Sequence, residues 1–208
     1  SSDVMRSGKA FFMVELAVQG TLRVQGTETQ PVTFKGVSAG ARRWHGVSVD
    51  SGGTAVVTGA VLRDADFGLQ VTASTASATL SSCTLTTNLH GVLVNGGGSL
   101  SMYHTLVRDN SEAGVQTFTG NTDLQYNTFL DNGTYGVYVG IGTQSLRDSI
   151  VIGHAYGVYR GSGSVPTLSH NNVWSNTARN YGAVDADPHS ISANPLFVSY
   201  ANPRPTSR

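Results

Sequence analysis

The chain of 208 residues has little charge, one cysteine and no long apolar run. Charged residues make up 12% of it, and 13 basic side chains balance 13 acidic ones. No basic surface is therefore available to neutralise the phosphates of a nucleic acid. The single cysteine, Cys83, excludes an internal disulfide. The sequence contains no run of about 20 apolar residues, so it predicts no membrane-spanning helix.

Residues that commonly hold metal ions are also sparse or scattered. The 6 histidines and the cysteine lack the spacing of a zinc site. Asp109 and Asp131 lie one repeat apart, but two carboxylates do not supply the six to eight oxygens of a calcium site. We therefore expect neither a metal nor another cofactor.

Glycine is plentiful, with 25 residues. Seven of these glycines precede short apolar segments at intervals of 22, 23, 23, 22, 21 and 25 residues; they are Gly46, Gly68, Gly91, Gly114, Gly136, Gly157 and Gly182. A nearly fixed period of this length predicts a stack of equivalent structural units. Glycine at this position fits either a bend with positive φ or a close approach of two backbone segments.

A second set of positions repeats every 22 residues and comprises Asn88, Asn110, Asn132, His154 and Asn176. Each unit contains short alternating stretches between turn residues and has no room for a helix. The pattern predicts an all-β parallel β-helix with one strand path, about seven rungs and about 22 residues per rung. Asn88, Asn110, Asn132 and Asn176 are predicted to form a hydrogen-bonded ladder. Cys83 lies in a parallel column of small polar residues, which predicts a buried, unreactive thiol.

The Asn-x(2-3)-Gly-[Val/Leu]-x-Val rungs resemble those of the pectin-lyase-like superfamily of right-handed parallel β-helices. The opening segments 16–27 and 44–47 and the closing segment 191–197 are similar to bacterial surface and secreted members. The resemblance implies export, to a secreted or cell-surface location, of a chain that has lost its leader or belongs to a longer protein. It further predicts one domain over 1–208, with an N-terminal cap (1–13), rungs (14–182) and a closing segment (183–208).

One predicted outward column carries titratable side chains: His104, Tyr126, Asp148 and His170, with Arg147 beside it. A base, a tyrosine and a cation in a row suit removal of the C5 proton of a uronic acid, followed by β-elimination or epimerisation. His104, Tyr126, Arg147 and His170 are therefore the candidate catalytic residues. The alternative is an ordinary solvated strand face. We expect the column to be exposed and aligned, with no groove around it.

A second outward column contains Tyr138 and Tyr159, with Gln116 below them and Arg160 adjacent. Aromatic rings with hydrogen-bonding ends can stack on sugars while amides contact hydroxyl groups. These four residues are the candidate carbohydrate-binding set. The alternative is a pair of rings that only stabilises the sheet.

The triplet Asp187-Pro188-His189 is similar to the Asp-Pro-His of mannuronan C5-epimerases. In those enzymes the triplet belongs to a central groove strand. Here it follows the last clear rung, so we predict a loop at the C-terminal end, away from the titratable column.

Two functional hypotheses remain. The first is a secreted or cell-surface structural or adhesive module that contacts a polysaccharide without catalysis. The second is a small uronate lyase or epimerase. The short turns favour the first, because enzymes of this shape usually carry long loops that wall a groove. We also expect Phe11-Phe12-Met13 and Pro195-Leu196-Phe197 to cover the two ends of the coil, since open strand edges invite association.

Overall fold

The computed structural model describes residues 10, 12–163, 165–199 and 203. These residues form 22 strands, β1 to β22 in chain order, and no helix. No helix among them is therefore long and apolar enough to cross a membrane.

The strands form three parallel sheets, and each turn of the coil adds one strand to each sheet. Sheet A contains β1 (Glu15–Val18), β4 (Trp44–Val49), β7 (Ala65–Val71), β10 (His90–Val94), β13 (Ala113–Thr117), β16 (Tyr135–Val139), β19 (Tyr156–Arg160) and β22 (Arg179–Gly182). Sheet B contains β2 (Thr21–Gln25), β5 (Thr54–Thr58), β8 (Ser77–Ser81), β11 (Ser99–Tyr103), β14 (Asn121–Gln125), β17 (Gln144–Arg147) and β20 (Thr167–Ser169). Sheet C contains β3 (Val32–Phe34), β6 (Ala60–Arg63), β9 (Thr84–Thr86), β12 (Leu106–Arg108), β15 (Thr128–Leu130), β18 (Ile150–Ile152) and β21 (Asn172–Trp174).

The register of the sheets reproduces the sequence period. Val107 pairs with Phe129, and Phe129 pairs with Val151, so neighbours in space lie 22 residues apart in the chain. The predicted all-β parallel coil of about 22 residues per turn is thus confirmed.

The interior is filled by columns of aliphatic side chains. Val92, Val115, Val137 and Val158 follow one another in register along sheet A, and none is more than 3% exposed. Val47 belongs to the same column, where Leu69 separates it from Val92. The valines that follow the repeat glycines thus form one interior column, with one leucine inserted.

The repeat glycines lie within or at the ends of the sheet A strands rather than ahead of them. Among the seven, only Gly46 has a positive φ, of 117°. A Cβ atom added at Gly68, Gly91 or Gly114 would lie 2.5–2.6 Å from the carbonyl oxygen of the next repeat glycine. Close approach of successive turns, rather than a left-handed bend, is therefore the main reason for glycine here.

Polar side chains inside the bends connect successive turns. Oδ1 of Asn110 accepts hydrogen bonds from the backbone nitrogen and the side-chain amide of Asn88, both at 3.0 Å. Oδ1 of Asn132 accepts the equivalent bonds from Asn110 at 3.2 and 2.8 Å. The amide of Asn176 donates to the carbonyl oxygen of Val151. These buried bonds satisfy backbone groups that the bends would otherwise leave without partners.

The ends of the coil differ from the expected lids. Residues 1–9 and Phe11 lie outside the described residues, whereas Phe12 is 72% exposed. At the other end Leu196 is 47% exposed, and Tyr181 and Val184 pack against the core instead. Tyr181 of β22 and Val184 just after it, rather than the Pro195-Leu196-Phe197 turn, therefore contact the core there.

Candidate functional site

The titratable column lies at the corner between sheets B and C. Its members share a left-handed backbone, with φ between 48° and 56°, and their side chains are exposed; they are Ser82, His104, Tyr126, Asp148 and His170. Each of them directly follows the sheet B strand of its turn and directly precedes a residue of the inward polar column that begins at Cys83. The corner itself requires this conformation, since Ser82 shares it. The φ values therefore do not single out His104 or Tyr126 for a function.

Aromatic rings stack at two places along this corner. The rings of His104 and Tyr126 are 5.1 Å apart, with 8° between their planes. The rings of His170 and His189 are 4.9 Å apart, with 14° between their planes. The corner thus carries two stacked pairs, and Asp148 belongs to the turn between them.

The Asp187-Pro188-His189 triplet meets the column, contrary to the prediction of a separate loop. Oδ2 of Asp187 accepts a hydrogen bond from the backbone nitrogen of His170 at 3.0 Å. Nδ1 of His189 lies 3.1 Å from Oδ1 of Asp187. Desolvation acts to raise the pKa of Asp187, but hydrogen bonds from Ser190 and His189 hold that pKa well below its usual range. His189 therefore extends the column past His170.

Arg147 was predicted to meet a substrate carboxylate, but its side chain pairs with a carboxylate of the protein itself. Its guanidinium lies 3.2 Å from Oδ1 of Asp123 on the outer face of sheet B. Ser145 and Gln125 also donate to Asp123, at 2.6 and 2.7 Å. Desolvation acts to raise the pKa of Asp123, but these hydrogen bonds and the Arg147 charge lower it overall. Arg147 is thus part of a polar network on sheet B.

A groove of about 700 Å³ runs beside His104 and Tyr126. Residues of the Gly26–Pro31 segment and Pro203 line it, together with the corner residues Ser82 and Cys83. Tyr126 keeps 52% of its surface exposed there. The expectation of an exposed column without a groove was therefore wrong for this half of the corner.

Four tyrosines form a cluster on the outer face of sheet A. Tyr135 is in register with Tyr156, and Tyr138 is in register with Tyr159. Their ring centroids are 5.8 and 5.9 Å apart respectively, and both pairs are stacked. Tyr135 also contacts Tyr138 edge-on at 5.1 Å. Phe118 continues the surface, 5.9 Å from Tyr138. We call these five residues the tyrosine cluster.

The four tyrosines of the tyrosine cluster are half-buried, whereas Phe118 is exposed. Burial, followed by the proximity of Tyr159 and Tyr138, raises the pKa of Tyr135. Sequence reasoning missed Tyr135 and Tyr156, although each directly precedes a repeat glycine. Each of the two residues begins its strand, and its ring contacts the tyrosine three residues later on the same outer face.

Two other residues of the predicted carbohydrate set have different positions. Gln116 is only 7% exposed, so it packs beneath its neighbours rather than facing solvent. Arg160 is in register with Val139, which belongs to the interior core, and not with the outward tyrosines. Alternation along β19 would have predicted this, because Arg160 is two residues after the buried Val158.

Metal binding finds no support in the part of the chain that the structure describes. There, no three histidine, cysteine, aspartate or glutamate side chains are grouped as ligands. The pKa of Asp131 is raised, first by burial and second by the negative charge of Asp109. Cys83 is buried, and desolvation raises the pKa of its thiol.

Family comparison agrees with the observed coil. A family model described as a right handed beta helix region matches residues 22–177. The chain belongs to this family. Its coil is accordingly a right-handed parallel β-helix. No curated protein and no solved structure matches the chain significantly.

Proposed function

We propose that this right-handed β-helix is a non-catalytic module of the secreted or cell-surface type, which contacts a polysaccharide through its tyrosine cluster. The observation that carries the proposal is the mutual packing of Tyr135, Tyr138, Tyr156 and Tyr159 on two successive turns. A right-handed β-helix with this surface suits a structural or adhesive role, alone or within a longer protein.

The physical basis is the fit between a row of aromatic rings and a chain of sugars. A pyranose presents an apolar face of C–H groups, which stacks on tyrosine while the hydroxyl groups remain hydrogen-bonded. None of the four tyrosine hydroxyls is a buried group without a hydrogen-bond partner. Each ring pair spans the same two successive turns, at 5.8 and 5.9 Å, so two successive sugars of an extended polymer can meet two successive rings.

The packing of the cluster favours binding for an entropic reason. Each tyrosine is already held by two or more neighbouring rings, and little side-chain freedom is lost when a ligand stacks on it. Preorganised rings of this kind give a rigid surface rather than a deep pocket, which suits a polymer better than a small molecule.

The test is glycan binding by the double variant Tyr138→Ala plus Tyr159→Ala. Two lost aromatic contacts are expected to weaken binding by about 1–3 kcal/mol. Tyr103→Ala on sheet B is the matched control, because Tyr103 is also a partly exposed strand tyrosine. Glycan-array binding and calorimetry supply the measurement, with thermal melting to verify folding. Equal binding by the double variant and the control would refute the proposal.

A second candidate function, polyuronate lyase or C5-epimerase, is favoured by the contact of His189 with His170. The pairing of Arg147 with Asp123 weighs against it, because that guanidinium is engaged elsewhere. If the corner is catalytic, a polyuronate yields unsaturated product with an absorbance change. Tyr126→Phe and His104→Ala then abolish activity with little change in thermal stability, since both side chains are exposed. No product from any polyuronate tested would remove this candidate.

A further inference from the structure

An arginine occupies the interior side of β19, the second-to-last strand of sheet A. Arg160 follows Val139 in register, and the earlier turns of this column carry Val49, Val71 and Val94, all buried. In the next turn β22 ends at Gly182, which is in register with Tyr159, so β22 supplies no strand partner for Arg160. Nε of Arg160 is buried and has no hydrogen-bond partner. A buried guanidinium nitrogen without an acceptor is costly.

Arg160 opens into a cavity of about 640 Å³ at the C-terminal end of the coil. Arg179 lines the same cavity, so two arginines border one space. Apolar side chains form much of the remaining wall: Val165, Pro166, Leu168 and Val184. A guanidinium only donates hydrogen bonds, so the group that would satisfy this cavity is an acceptor, and an anion is the strongest acceptor.

The charges around the cavity leave both arginines available. No ion pair joins either arginine to a described residue. Asp187 lines the cavity, but its oxygens already accept from Ser190, His189 and the backbone of His170. Asp185 also lines the cavity and is exposed. Its negative charge repels an incoming anion, so removing that charge should strengthen anion binding, whereas removing an arginine should weaken it.

Arg179 connects the cavity to the tyrosine cluster. Tyr135, Tyr156 and Arg179 occupy the same column of sheet A on three successive turns. Adjacent strands are about 4.8 Å apart, so Arg179 stands one sugar-sized step beyond Tyr156 along the coil. A polymer stacked on the tyrosines and continuing in this direction reaches Arg179, which lines the cavity together with Arg160.

Resting on the proposed glycan contact, we propose that the ligand is an acidic glycan whose sulfate or carboxylate groups bind Arg179 and Arg160 at the end of the tyrosine cluster. The arginines would then select charged over neutral polymers, while the rings bind the sugar backbone. Both anions match guanidinium geometry, since each offers two oxygens to its parallel N–H groups.

The experiment compares dextran, carboxymethyl dextran and dextran sulfate, three polymers that differ in charge on one backbone. The wild-type chain is expected to bind the two charged polymers about tenfold more tightly than dextran. Arg179→Gln and Arg160→Gln reduce that preference, and Asp185→Asn increases it. Arg23→Gln, on the exposed face of sheet B, is the matched control and leaves the preference unchanged. Preference for only one charged polymer assigns the anion as sulfate or carboxylate.

The outcomes separate this inference from the proposed function. Equal binding of charged and neutral dextrans that still depends on Tyr138 and Tyr159 overturns the acidic-glycan inference and leaves the tyrosine contact standing. A charge preference that survives both arginine variants also overturns the inference. Arg179 is exposed, so Arg179→Gln remains informative even if Arg160→Gln fails to fold. Loss of the tyrosine dependence for every polymer refutes the proposed function itself.

Discussion

Nδ1 of His154 lies 3.0 Å from the backbone nitrogen of Asn132 and 2.9 Å from its carbonyl oxygen, at the place where the other turns have an asparagine oxygen. An asparagine oxygen in this ladder accepts two hydrogen bonds, as Asn132 does from Asn110. The single lone pair of an imidazole nitrogen accepts one. The side-chain amide of Asn132 consequently donates only to the carbonyl oxygen of Val107. His154 therefore interrupts the ladder.

Replacing His154 by asparagine should stabilise the fold. The side-chain oxygen of the new asparagine would accept from both nitrogens of Asn132. Its side-chain nitrogen would donate to the carbonyl oxygen of Phe129, just as that of Asn132 donates to the carbonyl oxygen of Val107 one turn earlier. One or two added buried hydrogen bonds predict a gain of about 1–2 kcal/mol in the free energy of unfolding. Urea denaturation at neutral pH measures it. A less stable variant would show that the ring's packing outweighs the missing bonds.

The same substitution should reduce acid sensitivity. Burial lowers the pKa of His154 to about 4, below its usual value of 6.5, so the unfolded chain takes up the proton first as the pH falls. His154 therefore costs no stability above about pH 6.5, and the free energy of unfolding drops as the pH falls from there towards 4. Between pH 7 and pH 5 this loss is about 2 kcal/mol for the wild type.

Burial also lowers the pKa of His90 to about 4, and that contribution remains in the His154→Asn variant. Denaturation curves at several pH values should therefore show a shallower slope in the variant rather than a flat one. Identical slopes in both proteins would contradict the assignment of a depressed pKa to His154.

Removing a ladder side chain should destabilise the coil. Asn132→Ala takes away the acceptor of the backbone and side-chain nitrogens of Asn110 and the donor to Val107. Because these groups are buried, the expected cost is about 1–3 kcal/mol in the free energy of unfolding. Chemical denaturation measures this cost. A change within error would mean that water or a backbone shift replaces the lost bonds.

Gly114→Ala tests the close approach of successive turns. The added methyl group would lie 2.5 Å from the carbonyl oxygen of Gly136 and 3.0 Å from a ring carbon of Phe129. Backbone atoms of a sheet cannot yield without breaking hydrogen bonds, so we expect a loss of at least about 3 kcal/mol or failure to fold. Gly20→Ala is the control, since its methyl group would meet nothing within 4 Å. Similar stability of the two variants, measured by thermal melting, would contradict the packing argument.

Cys83 should resist thiol reagents until the chain unfolds. Its sulfur is buried and lies 3.3 Å from the carbonyl oxygen of Ser81, and burial raises the pKa of the thiol. Thr105 and Ser149 in the same column donate to the carbonyl two residues earlier, so Cys83→Ser should be tolerated within about 1 kcal/mol. Reaction with an aromatic disulfide reagent, with and without denaturant, measures accessibility. Rapid labelling of the folded chain would contradict a buried, inert thiol.

The sequence determined the coil because each turn repeats the same local pattern and the period fixes which residues become neighbours. The interior valines, the asparagine ladder and the corner column could all be found by counting 22 residues forward, since register in a parallel stack follows directly from turn length. The inward or outward direction of a strand residue also follows from alternation, and the inward position of Arg160 is the one that its spacing of two residues from Val158 predicts.

Only the tertiary structure decided how side chains are used where the repeat ends or where several neighbours compete for one group. Asp187 and His189 lie beyond the last regular turn, so no period predicts their contact with His170. The pairing of Arg147 with Asp123 depends on rotamers across two turns, and the burial of Gln116 depends on the bulk of residues around it. Period and alternation fix backbone positions, whereas these contacts arise from lateral packing and hydrogen bonding, which the linear pattern does not encode.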